Sequence, residues 1–288
     1  MIEIGMASDN FRHEDRSVAY VLAWCRKVGC GIVEINTVNG EDFFEGLGFS
    51  PAISLNCDGV ALRRELDQYG LKVSQLDVHY ALHRWQSIPY MINGIKMAAV
   101  IGCPYVATTD GAEVPKGMTL EEVFTRAVYH LREALVAART HNIGINIEPH
   151  GPLTTNLGLM VRLMKEINDP LLGVNFDTGN TFVSGNDPVA MVKELLPWIK
   201  HFHVKDVAPE LRANIGKDTG IAASEVYVGQ GINADNIRKI VDILKANRWS
   251  GVMSLETKGE ANSAKSLQWL RGVVGEQAAR GAGARKRN

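Results

Sequence analysis

Four ionisable residues stand at or near the ends of short apolar runs in the second half of the chain: Glu148, Asp177, His203 and Glu256. Three carboxylates and one imidazole make a hard, mostly oxygen donor set. Such a set suits one divalent ion, Mn²⁺ or Mg²⁺, with Co²⁺ or Zn²⁺ as substitutes, and Mn²⁺ is the expected one. If the runs are neighbouring strands about 4.8 Å apart, the four side chains can converge on an ion about 2.1 Å from each donor. Four protein ligands leave two octahedral positions, which two vicinal sugar oxygens can fill. The sharpest stretch is Ile145-Asn146-Ile147-Glu148-Pro149-His150-Gly151. On a strand, Ile145 and Ile147 face one side and Asn146, Glu148 and His150 the other.

These residues need elements that bring them together. The sequence predicts strands over 2–6, 32–36, 72–79, 104–108, 144–148, 172–177, 199–205 and 251–256. Between and after them, helical spacing predicts helices over 18–28, 59–69, 88–101, 120–142, 156–167, 188–196, 234–247 and 264–274. Ser17, Thr119 and Asp187 are placed as helix caps, with Pro188 at a first helical position. Eight strand-then-helix units imply a parallel sheet closed into a single (β/α)₈ TIM barrel. The competing open, doubly wound sheet announces itself with a glycine-rich first turn, whereas this first turn is Ala7-Ser8-Asp9-Asn10. The barrel is expected over residues 1–275 as one domain. The glycine-rich, basic end, within 276–288, reads as a flexible tail.

Composition excludes several classes. With 45% hydrophobic and 22% charged residues the chain is an ordinary globular protein, and a net charge of −1 gives no footprint for nucleic acid or an anionic membrane. No apolar run approaches the roughly 20 residues of a membrane span. The first residues show no basic-then-apolar secretory pattern, so a cytoplasmic protein is expected. Cys25, Cys30, Cys57 and Cys103 lack metal-binding spacing and read as free thiols.

In a barrel, function gathers at the C-terminal strand ends. Reading them in order adds Glu34, His79 and Asp110 to the four residues above. Each has a plain alternative, since an acidic residue at a strand end commonly caps a loop. Glu34 and Asp110 either bind substrate hydroxyls or brace loops. His79 is placed at the mouth as a substrate contact, and His150 is either a substrate contact or a solvent-facing loop histidine. Lys205 either holds a substrate oxygen or pairs with a neighbouring acid such as Glu148 or Asp206. His201 shares a face with His203 one layer deeper and reads as a supporting histidine. Trp85 and Phe11 either stack on a sugar or pack between helices. The connection over 207–232 exceeds the usual 2–6 residues, which favours a lid, or a contact with another copy or a partner subunit.

Together, Ile147-Glu148-Pro149-His150-Gly151, Phe176-Asp177-Thr178-Gly179-Asn180, His201-Phe202-His203-Val204-Lys205-Asp206, Val228-Gly229-Gln230-Gly231-Ile232 and Leu255-Glu256-Thr257 resemble the xylose isomerase-like superfamily. Within it, the closer resemblance is to the sugar phosphate isomerase/epimerase group. It implies that Glu148, Asp177, His203 and Glu256 bind one divalent ion, and that Glu148 and Glu256 exchange protons with a substrate carbon. The implied enzyme is an isomerase or epimerase of a ketose or keto-sugar derivative, working through an enediolate. Three departures concern the substrate end. Asn180 and Thr154 stand where the group's ketose 3-epimerases have a histidine and a second glutamate, and Lys205-Asp206-Val207 replaces a stretch carrying an arginine. Asn180 therefore joins the substrate-contact candidates. The alternative is a lyase using the same enolate, either an inosose-type dehydratase or an enzyme eliminating the aglycone of a 3-keto-glycoside. Endonuclease IV shares the barrel, but its additional metal-binding histidines are not matched here. A non-catalytic sugar-binding protein would not need two opposed glutamates.

Overall fold

A computed structural model describes residues 1–38, 50–217 and 225–275. Among the described residues nine parallel strands follow one another as β1 (Ile2–Ala7), β2 (Ile32–Val38), β3 (Ala52–Ser54), β4 (Lys72–Ala81), β5 (Tyr105–Thr109), β6 (Gly144–Ile147), β7 (Leu172–Asp177), β8 (Ile199–Val204) and β9 (Gly251–Leu255). β1 pairs with both β9 and β2, which closes eight of them into a barrel, while β3 is appended to β2 outside the ring. Surrounding helices are α1 (Val18–Lys27), α2 (Gly59–Tyr69), α3 (Ser87–Ile101), α4 (Leu120–His141), α5 (Leu157–Ile167), α6 (Thr178–Val183), α7 (Pro188–Leu195), α8 (Ala234–Ala246) and α9 (Glu260–Val274). The expected (β/α)₈ barrel is therefore the fold. Among the described residues no helix is long and apolar enough to cross a membrane. The expected tail, 276–288, lies outside the described residues, as do residues 218–224 of the long connection.

Helix starts follow the expected chemistry. Ser17 accepts the Tyr20 N–H, Asp187 accepts those of Val189 and Ala190, and Thr119 with Glu122 forms a reciprocal capping box. Two elements escape sequence periodicity because they are short: the three-residue β3 and the six-residue α6. Helix α9 begins at Glu260, earlier than the 264 expected, behind a Gly259 at φ 87° that no side chain caps.

Register shifts interrupt three of the strand pairings, and the one between β2 and β4 lies opposite Glu34. Val33 pairs with Val73 but Ile35 pairs with Leu76, so β4 carries a surplus residue opposite Glu34. Such a bulge sets two residues of one strand against one of the other, and both Ser74 and Gln75 make hydrogen bonds to barrel-interior side chains. Strict alternation would have turned Ser74 outward. On the outer face of β4, Val78 meets Gly94 of α3, where an added Cβ would lie 2.6 Å and 2.9 Å from the two Val78 methyls. Gly94→Val is therefore expected to cost about 1–3 kcal/mol through overpacking, measured by urea denaturation. An unchanged midpoint would mean that α3 can move off the barrel at no cost.

Candidate metal centre

Three strand ends and one strand interior build the centre. Glu148 follows β6, where its N–H still bonds to Thr108 O (2.9 Å), and Pro149 then ends the strand. Glu256 follows β9 in the same way, bonded to Val204 O at 3.1 Å. Asp177 closes β7, and His203 lies within β8. One potential ligand atom from each of Glu148, Asp177, His203 and Glu256 falls within 4.8 Å of all the others. His203 Nδ1 lies 3.0 Å from Glu148 Oε2 and 3.1 Å from Glu256 Oε2.

The donor set fits a cation for a specific reason. Asp177 Oδ2, His203 Nδ1 and Glu256 Oε2 are buried, and none has a hydrogen-bond partner. Asp177 shows how its free oxygen is aimed: its Oδ1 accepts the Gly179 and Asn180 N–H groups, both at 2.7 Å, as the cap of α6. Oδ2 is left facing the cluster, 3.3 Å from Lys205 Nζ. Burial, then the charges of Glu256 and Glu148, push Asp177 up to about 7 against the pull of Lys205. Burial would raise Glu256 too, but the Lys205 and His203 cations hold it well below the usual carboxylate range.

The other candidates sort by position. Lys205 Nζ sits 2.7 Å from Glu256 Oε1, so its acid partners are Glu256 and Asp177 rather than Glu148 or Asp206. Asp206 is occupied elsewhere, its two oxygens accepting N–H groups from Val207, Gly229, Gly231 and Asn233. Asn180 donates to Glu148 Oε1 at 3.0 Å, and Asn175 donates to Glu148 Oε2 at 3.2 Å. His79 Nε2 lies 3.2 Å from Glu148 Oε2 and 2.6 Å from Asp77 Oδ1. Burial alone would lower His79, but those two carboxylates lift it to about 10. His150 meets the His79 ring edge-on, centroids 6.1 Å apart, and burial takes it down to about 4.

Two strand-end acids do not face the mouth. Glu34 is fully buried and bonds His203 Nε2 and Gln75 Nε2, each at 2.8 Å. Asp110 accepts from Gly151 N, Leu153 N and Thr154 N with its two oxygens, and from the Thr154 hydroxyl at 2.6 Å. Its contacts are those of a loop brace. Thr154, at the position of the epimerases' second glutamate, is consumed in the same brace and also accepts the His150 N–H. Phe11 is core, edge-on to Trp24 at 5.1 Å, and Trp85 is exposed.

Sequence reasoning did not single out Asp77 or Asp9. Asp77 had a usable signal, since it precedes His79 by two on the same strand face. Asp9 lies in the 3₁₀ turn that follows β1, and Asn10 staples this turn to the strand bearing Glu256, by bonds to Leu255 O (2.9 Å) and Thr257 N (2.7 Å). Burial and the nearby Glu256 charge push Asp9 up to about 7, although Arg12 holds its Oδ2 at 3.2 Å.

The family profile of xylose isomerase-like TIM barrels matches residues 22–273. An inosose dehydratase of Clostridium botulinum (strain Eklund 17B / Type B) is 28% identical over 113 residues, covering 38% of this chain and 38% of that protein. The match thus spans well under half of that relative's length. Among solved structures, a D-tagatose 3-epimerase-like protein superposes with a TM-score of 0.75 at 18% identity, over 95% of this chain and 97% of that one. An IolI protein with a bound zinc atom does so with a TM-score of 0.75 at 17% identity, over 96% and 99%.

Asp110→Asn turns an amide N–H₂ toward buried donors. Each donor left without an acceptor costs about 1–3 kcal/mol, so a clear fall in the urea midpoint is expected. A variant as stable as the wild type would return Asp110 to the list of substrate contacts.

Proposed function

The chain belongs to the xylose isomerase-like TIM-barrel family, and from that premise we propose a divalent-metal-dependent enzyme that removes the proton beside the carbonyl of a polyhydroxylated ketone. The outcome is isomerisation or epimerisation of a ketose or keto-sugar derivative by way of an enediolate. The observation that carries this reading is the convergence of four donors, three of them buried atoms without a hydrogen-bond partner. Glu148, Asp177, His203 and Glu256 would hold the ion, with Mn²⁺ favoured by the oxygen-rich set. When bound, the ion supplies Lewis-acid polarisation of the carbonyl and stabilises charge developing on its oxygen.

The chain's own residues do the rest. Glu148 and Glu256 stand at the two ends of the ligand arc, on β6 and β9, with β7 and β8 between them. One takes a proton from the substrate carbon and the other returns one from the opposite side, the usual division of labour in general acid–base catalysis. Asn180 and Asn175 orient the Glu148 carboxylate, and Lys205 orients that of Glu256. His79 and His150 line the Glu148 side and offer ring nitrogens to substrate hydroxyls.

A second reading is favoured by Lys205. Its ammonium lies 2.7 Å from Glu256, which puts a base and a proton donor on the same side of the mouth. Elimination uses that pair: the carboxylate takes the proton beside the carbonyl, and the ammonium protonates the oxygen leaving the next carbon. The matched dehydratase is named for chemistry of this kind.

Both readings are tested by incubating the Mn²⁺-loaded protein in D₂O with ketohexoses, inososes and 3-keto-glycosides. Deuterium uptake with the carbon skeleton retained supports isomerisation or epimerisation, and loss of water or an aglycone supports elimination. Tight binding of one of these compounds without exchange would leave a sugar-binding protein instead. Glu256→Gln is expected to keep the fold and slow exchange by about 10²–10⁴-fold. A near-normal rate would remove Glu256 from acid–base duty.

A further inference from the structure

We infer that Glu34, although it faces neither the mouth nor a substrate, is a positioning residue that decides which nitrogen of His203 is offered to the ion. The inference rests on the metal reading above. Glu34 lies within β2 with no exposed surface, beneath the His203 ring. Its Oε1 lies 2.8 Å from His203 Nε2. An ionised carboxylate only accepts, so Nε2 keeps its proton, and Nδ1, which faces the acids, is the nitrogen that gives up its proton when an ion binds. Nδ1 approaches Glu148, Glu256 and Asp177 oxygens at 3.0, 3.1 and 3.9 Å, yet it makes no hydrogen bond to any of them. The ring is therefore aimed between these oxygens rather than at one of them.

Glu34 is itself held. Gln75 Nε2 donates to the same Oε1 at 2.8 Å, and Asn146 Nδ2 donates to Gln75 Oε1 at 2.7 Å. A second chain of bonds runs beside it to another of the four residues. Asn175 must give its amide proton to the Glu148 carboxylate, so its Oδ1 accepts from His201 Nδ1 (2.9 Å), and His201 Nε2 accepts from the Ser74 hydroxyl (3.1 Å). Two of the four proposed ligands thus stand on continuous hydrogen-bonded supports that share β4.

The bland alternative is a buried ion pair that contributes to stability and nothing else. A tautomer and an affinity separate the two. Zn²⁺, being diamagnetic, is titrated by calorimetry into metal-free full-length protein, and the His203 ring is followed by long-range ¹H–¹⁵N spectra of ¹⁵N-histidine-labelled samples. The wild type is expected to carry the proton on Nε2 and the metal on Nδ1. Glu34→Ala is expected to lose about 10–100-fold in Zn²⁺ affinity and to lose the single tautomer. Glu34→Gln keeps an acceptor of the same length, so it should retain the Nε2–H tautomer and recover part of the affinity. It also carries the test if the alanine variant fails to fold. Zn²⁺ affinities within twofold of the wild type in the folded variants, or metal on Nε2, would overturn the assignment. No Zn²⁺ binding by the wild type would instead remove the metal reading itself, and this inference with it.

Discussion

Like charges brought together where water scarcely reaches set the terms for the mouth of this barrel. Glu148, Asp177 and Glu256 lie close enough to repel one another strongly at low dielectric. Every neighbouring feature can be read as an answer to that repulsion. His203 and Lys205 bring positive charge among the acids, and His79 does so from the far side of Glu148. Asn175 and Asn180 supply neutral donors to the oxygens of Glu148, and the start of α6 takes up one oxygen of Asp177. What remains are a few atoms that no protein group satisfies, and they point at one another.

The same residue type does a different job one loop away. Asp110 and Asp206 are also buried at the C-terminal side of the barrel, but their oxygens are spent on main-chain N–H groups of adjoining loops. Asp110 shapes the turn after Glu148, and Asp206 shapes the glycine-containing loop over 228–232. Whether a carboxylate becomes a staple or a candidate ligand is decided by the donors it meets. Where a loop folds back with several N–H groups, the acid is used up. Where it does not, an oxygen is left over, as at Asp177 and Glu256.

The barrel and its four central residues were legible because they depend on local pattern. Apolar runs of strand length, each broken by an ionisable residue at its end, need no knowledge of distant contacts. The roles of Glu34 and Asp110 were not legible, although both residues were picked out. Glu34 meets a histidine 169 positions later in the chain, and Asp110 meets a loop 41 to 44 positions on. Lys205 was read as holding a substrate oxygen or pairing with Glu148 or Asp206, whereas its acid partners are Asp177 and Glu256, and Asp206 is engaged with its own loop. The inward turn of Ser74 was not legible either, because period-two reasoning holds only for a regular strand. Helix α6, six residues long, gave periodicity too little length to register.

The surplus residue in β4 has a wider meaning. A regular strand offers the interior one side chain for every two residues, and therefore one anchoring point at each level. The bulge opposite Glu34 supplies two from adjacent positions, Gln75 toward one support and Ser74 toward the other. His203 and Glu148 thus share a common foundation in a strand that contributes none of the four candidate ligands. The register shift between β2 and β4 is what brings both anchors to the interior. Changes in the rim loops leave these supports in place, because Glu34, Ser74, Gln75, Asn146, Asn175 and His201 all lie within strands rather than loops.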